Sequence, residues 1–116
     1  MKIKKRMMDE VAILDVSGKL LGGPPSSQEL KDQIYQLLDE GVKKFVIDLG
    51  DVKRMNSSGL GILIQMLASI RKGDGELKLS SVNETMEGIL VLTKLNSIFE
   101  IYKTAEGAAQ SFSTPA

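Results

Sequence analysis

Met55-Asn56-Ser57-Ser58-Gly59-Leu60-Gly61 is the stretch on which the fold turns. The hydrophobic run Lys44-Phe45-Val46-Ile47-Asp48-Leu49 precedes it, and an apolar run with helical spacing, residues 60–70, follows it. It therefore reads as a loop that opens a helix. Two hydroxyls stand at the helix start, where a serine oxygen can accept one of the unpaired backbone N–H groups. Gly59 and Gly61 fall in the first turn, and each weakens a helix by roughly 1 kcal/mol against Ala. Bare backbone here implies close packing on a sheet, or close approach of a partner or ligand.

Working outward, the helix is expected over residues 58–72. Leu60, Leu63, Ile64, Leu67 and Ile70 line one side for the core. Ile62 and Met66 make a second stripe, which fits either a helix buried on most sides or an exposed contact surface. The near-continuous apolar strand at 45–49 is what a sheet covered by helices requires. Residues 50–54 are mostly polar and read as the approach to the serine loop.

Upstream, residues 26–29, Ser-Ser-Gln-Glu, read as a capping box for a helix. Leu30, Ile34, Leu37 and Leu38 form its stripe, and Gly41 ends it. Residues 3–8 and 11–16 read as a hairpin turning at Asp9-Glu10, with Val11 and Ile13 on one face and Ala12, Leu14 and Val16 on the other. Gly18 breaks that strand, and residues 19–25, with two glycines and two prolines, read as a loop. Downstream come a strand at 76–80, a helix from Asn83 to about Leu95, a strand at 98–102 and a helix capped by Thr104. Residues 113–116 read as a frayed tail.

The order is β, β, α, β, α, β, α, β, α. Alternation after the first hairpin predicts an α/β domain: a mixed, mostly parallel sheet of four to five strands with about four helices. No repeat or linker interrupts residues 1–116, so one domain is expected.

Composition narrows the function. Lys+Arg is 15 and Asp+Glu is 15, so no basic excess points to nucleic acid or an anionic membrane. The chain has no Cys and no His, which removes thiol nucleophiles, imidazole bases and nearly all zinc chemistry. The basic N-terminus lacks the apolar core of a signal peptide, and no apolar run is long enough to span a bilayer. A cytoplasmic protein is expected.

Catalysis finds little support. The serines have no His to act as base and are not set in G-x-S-x-G, a dyad with the nearby Lys53 depends on geometry rather than sequence, there is no P-loop, and Gly59-Leu60-Gly61 lacks the third glycine of a dinucleotide fingerprint. No enzyme activity, metal or cofactor is expected. Taken alone, the two serines are most simply helix-cap residues.

The chain resembles the STAS domain, the family of bacterial anti-sigma-factor antagonists, along nearly its whole length. Four stretches carry the resemblance: residues 11–18; residues 45–61 with the serine loop; Leu77-Lys78-Leu79-Ser80-Ser81-Val82; and Leu92-Thr93-Lys94-Leu95-Asn96-Ser97-Ile98-Phe99. The family core is D-S-[ST]-G-[LI]-G. Here Asn56 replaces its Asp, and Gly18-Lys19-Leu20-Leu21 replaces an acidic G-E-L-D run.

The resemblance implies a switch. An anti-sigma factor that is also a serine kinase phosphorylates the serine after the Asp, which is Ser57 here, with Ser58 as the alternative. The unphosphorylated antagonist binds that factor and releases sigma, and a PP2C-type phosphatase resets it. Partner contacts are expected from Leu21, Gly22, Gly23, Asn56, Ser57, Ser58, Gly59, Ile62 and Met66. The other use of the family is a constitutive interaction subunit of a transporter or sensory complex, without phosphorylation.

Overall fold

The computed structural model describes residues 2–21 and 26–113, except for the side chain of Ser26. The elements run β1 (Lys2–Met8), β2 (Val11–Leu20), α1 (Ser26–Asp39), β3 (Lys44–Met55), α2 (Ser57–Lys72), β4 (Glu76–Ser80), α3 (Glu84–Leu92), β5 (Glu100–Tyr102) and α4 (Ala105–Ser111). A 3₁₀ turn, Leu95–Ser97, lies between α3 and β5, so α3 stops short of the predicted 95. The five strands form one sheet in sequence order. β1 pairs with β2 antiparallel, and all later pairs are parallel, each joined by a helix as α/β alternation requires.

The two faces of the sheet are covered unequally. Ala12, Leu14, Phe45, Ile47, Leu77 and Leu79 pack with α1, α2 and α3 into the main core. Val11, Ile13 and Val46 face the other way, against Ala105, Ala108 and Ala109 of α4. This is the alternation expected of β2, with the assigned faces.

On the α4 side, Lys78 is buried. Its Nζ donates to Ser111 Oγ at 2.6 Å, lies 3.4 Å from a Glu100 carboxylate oxygen and sits 4.2 Å from the centre of the Phe112 ring. A lysine in a strand can be buried this way because its charge finds a hydroxyl, a carboxylate and an aromatic face together. On the same side Arg6 donates to Asp15 (2.9 Å) and Glu106 (3.1 Å). The bond to Asp15, chiefly, raises the pKa of the guanidinium. The Glu106 carboxyl is held below its ordinary value, first by a backbone N–H at the start of α4 and then by Arg6.

Two stretches expected outside the strands belong to them: residues 19–20 of the loop expected at 19–25, and residues 50–54 on the approach to the serine loop. β2 continues through Gly18 to Leu20, and β3 continues through residues 50–54 to Met55. The reason is mutual pairing: Gly18 meets Val52, Lys19 meets Arg54 and Leu20 meets Met55. Leu20 and Val52 are buried, which ties this extension to the core. Gly18 has φ +94, and it sits where the register shifts. It is the residue type that can bend a strand without ending it. Of the loop predicted at 19–25, residues 22–25 lie outside the described residues, as do 114–116 of the expected tail.

Candidate functional site at the start of helix α2

The extension of β2 and β3 builds the site. Pairing of β1 with β2 runs as far as Lys2 and Ser17, and pairing of β3 with β4 stops at Asp48 and Ser80. Beyond these points β2 and β3 form a two-stranded arm. The register shifts twice along it, each time with the extra residue on β3. Bulges of this kind sharpen the local twist. The arm ends with Leu20 beside Met55, so Leu21 and Asn56 leave it as neighbours.

Asn56 is the helix cap. Its backbone is extended (φ −109°, ψ −178°), its Oδ1 accepts from Gly59 N–H at 2.8 Å, and its carbonyl accepts from Leu60 N–H at 2.9 Å. The sequence suggested a serine for this role. Asn takes it because its carbonyl reaches the third residue of the helix and the chain turns one residue earlier.

Ser57 and Ser58 are thereby the first two helical residues. Both are exposed, and no hydroxyl bond to either is found among the described residues. The first turn carries no acidic residue. Two serine hydroxyls therefore project at the positive end of a 16-residue helix.

The glycines divide the two explanations given for them. A Cβ on Gly59 would lie 2.7 Å from the Leu20 carbonyl carbon and closer still to its oxygen. Gly59 is buried because the helix sits directly on the end of β2. Gly61 is exposed, and a Cβ there would meet nothing within 4 Å. Close packing accounts for Gly59 and not for Gly61.

The second stripe is core. Met66 is 0% exposed and Ile62 9%. Both belong to the buried cluster that holds Leu30, Ile34, Met86 and Leu90. α2 packs on β3 and β4 and against α1, so it is enclosed on most sides. The contact surface assigned to Ile62 and Met66 is therefore corrected. Gly59 is likewise a packing residue rather than an exposed contact. Leu21 is half-buried beside the loop, and Gly22 and Gly23 lie outside the described residues. Of the predicted contacts, Asn56, Ser57, Ser58 and Leu21 are brought together at the surface.

Sequence reasoning placed Lys53 and Arg54 near the serines but missed the strand arm that carries them. Lys19, Lys53 and Arg54 are exposed on it, and none forms an ion pair among the described residues. Leu20, Val52 and Met55 were the available signal, apolar residues recurring within polar runs.

Residues 2–108 match the family model of the STAS domain. The chain belongs to the STAS family. It is 31% identical over 106 residues to a provisionally named anti-sigma factor antagonist of Thermotoga maritima, covering 90% of this chain and 92% of that protein. It is also 31% identical over 85 residues to the anti-sigma-B factor antagonist of Bacillus subtilis, covering 73% of this chain and 77% of that one. The crystal structure of a Thermotoga maritima protein with the same provisional name superposes with a TM-score of 0.86 at 29% identity, over 97% of this chain and 95% of that one. In this STAS domain no helix among the described residues is long and apolar enough to cross a membrane.

Proposed function

We propose that this STAS protein is an anti-sigma-factor antagonist that acts by binding, not by catalysis. It captures an anti-sigma factor with serine-kinase activity and so frees a sigma factor in the cytoplasm. Phosphorylation of Ser57 ends the capture, and a PP2C-type phosphatase restores it. The observation that carries the proposal is the exposed Ser57 at the first position of α2, directly after its Asn56 cap. The relatives named anti-sigma factor antagonists support it.

The chemistry of the switch is local. A phosphate on Ser57 adds roughly −1.5 to −2 charges at a docking surface. The helix N-terminus offers it N–H groups and the positive dipole end, so the fold tolerates the modification. Partner docking is lost through charge and desolvation, without rearrangement of the sheet.

The test is mass spectrometry after incubation with each recombinant serine-kinase anti-sigma factor of the same genome and ATP. Ser57 is expected to carry the phosphate, Ser57→Ala to bind constitutively and Ser57→Asp to lose binding. Phosphate on Ser58 alone, or undiminished binding by Ser57→Asp, would sink the assignment. The absence of a carboxylate at positions 56 and 21 favours a second reading, a constitutive interaction subunit of a transporter or sensory complex. Binding of a partner that no kinase disrupts would select it.

A further inference from the structure

The β3–β4 ladder ends for a visible reason. Asp48 accepts the hydroxyls of Ser80 (2.8 Å) and Ser81 (2.6 Å) on one carboxylate oxygen and the Gly50 N–H (3.0 Å) on the other. Ser81 has φ +59 and turns the chain away into α3. Past this knot, β3 from Gly50 to Met55 has no strand beside it on the β4 side among the described residues. An unpaired strand edge is a template for another chain.

That edge borders a groove of about 250 Å³, with Lys53, Arg54 and Met55 on one wall and Asn83, Met86 and Ile89 on the other. Met86 is buried, and Met55 and Ile89 are half-buried, which gives the groove an apolar floor. Lys53 and Arg54 are exposed on its rim without an ion-pair partner among the described residues. The nearby carboxylates, Asp51, Glu84 and Glu87, do not line it. The edge runs directly into Asn56 and Ser57.

We infer that this edge takes an extended acidic segment of the protein partner as an added strand, lying along β3 in the groove against α3. Main-chain hydrogen bonds would supply affinity, the apolar floor would take alternate side chains, and the cationic rim would select carboxylates. The arm has room for about five residues of such a segment, roughly 16 Å at the rise of a strand. The inference rests on the serine-loop end being the partner-binding end. It adds that the docking surface reaches beyond the serines along β3.

The experiment uses the full chain and the same recombinant serine-kinase anti-sigma factors. Affinities are measured for the wild type and for Lys53→Glu/Arg54→Glu, and amide exchange is followed in the free and bound wild type. The double variant is expected to melt like the wild type and to bind at least about tenfold more weakly. Those amides between Asp51 and Met55 that point away from β2 are expected to exchange at least about tenfold more slowly in the complex. Binding that protects Ser57 and its neighbours, yet leaves residues 50–55 exchanging as in the free chain, overturns the inference and keeps the proposed function. Unchanged affinity of the double variant overturns it too. So does self-association of that variant, which would make the two cations guards of the edge. Should none of these factors bind the wild type, the inference and the proposed function fall together.

Discussion

Replacing Gly59 with Ala probes the contact that fixes the serine loop to the sheet. The new Cβ would lie 2.7 Å from the Leu20 carbonyl carbon, where ordinary contact begins at 3.4 Å. The helix start or the end of β2 must therefore give by about 0.7 Å or more. Both obstructing atoms are backbone, held by pairing with Met55 and by the burial of Leu20. Overpacking of this kind costs about 1–3 kcal/mol, and a backbone clash belongs near the upper end. The gain in helix propensity returns at most about 1 kcal/mol. The net expectation is destabilisation by about 2 kcal/mol, or roughly 8 °C in Tm for a domain of this size. Gly61→Ala is the internal control. Its Cβ meets nothing, so it should stabilise by up to about 1 kcal/mol, near 4 °C. Thermal and urea unfolding of the two variants, followed by circular dichroism, measures the difference. Equal melting temperatures would show that α2 does not rest on Leu20 in this way, and the positioning argument for Ser57 would fail with it.

Met66→Glu places a carboxylate in the main core, and such burial costs several kcal/mol against a typical total of about 5–15. The melt should collapse, while Met66→Leu should stay within about 1.5 kcal/mol of the wild type; an intact melt for Met66→Glu would return this residue to the surface. Asn56→Asp keeps the helix cap and adds a carboxylate beside Ser57. Phosphorylation by the serine-kinase anti-sigma factor should be faster in the variant, alone or with Leu21→Asp, at similar unmodified affinity. A wild type phosphorylated just as fast would mean that the kinase supplies that chemistry itself.

Much of the scaffold could be read from the residues. The stripe Leu30, Ile34 and Leu37 and the alternation of residues 11–16 came out on the expected faces, because periodicity records which side a segment buries. The caps at Asn83 and Thr104 also formed as expected, since a cap is settled within one turn of chain. Ile62 and Met66 illustrate the opposite case. Their spacing fits a contact surface as well as a core, and only the enclosure of α2 by β3, β4 and α1 makes them core. Lys78 alternates correctly in β4, yet its burial depends on Ser111 and Phe112 arriving from α4.

The sequence by itself determined the α/β order, the serine loop at a helix start and the lack of histidine and cysteine chemistry, all of which are local or compositional. The tertiary structure alone decided that the polar residues after Leu49 are strand, that Asn56 holds the cap, that Gly59 lies on Leu20 and that a cationic edge, unpaired among the described residues, runs into Ser57. The physical reason is that extended backbone at 50–55 has no partner within its own segment. Its hydrogen bonds are made with residues 17–20, more than thirty positions upstream, and that pairing exists only once α1 has brought the two strands together.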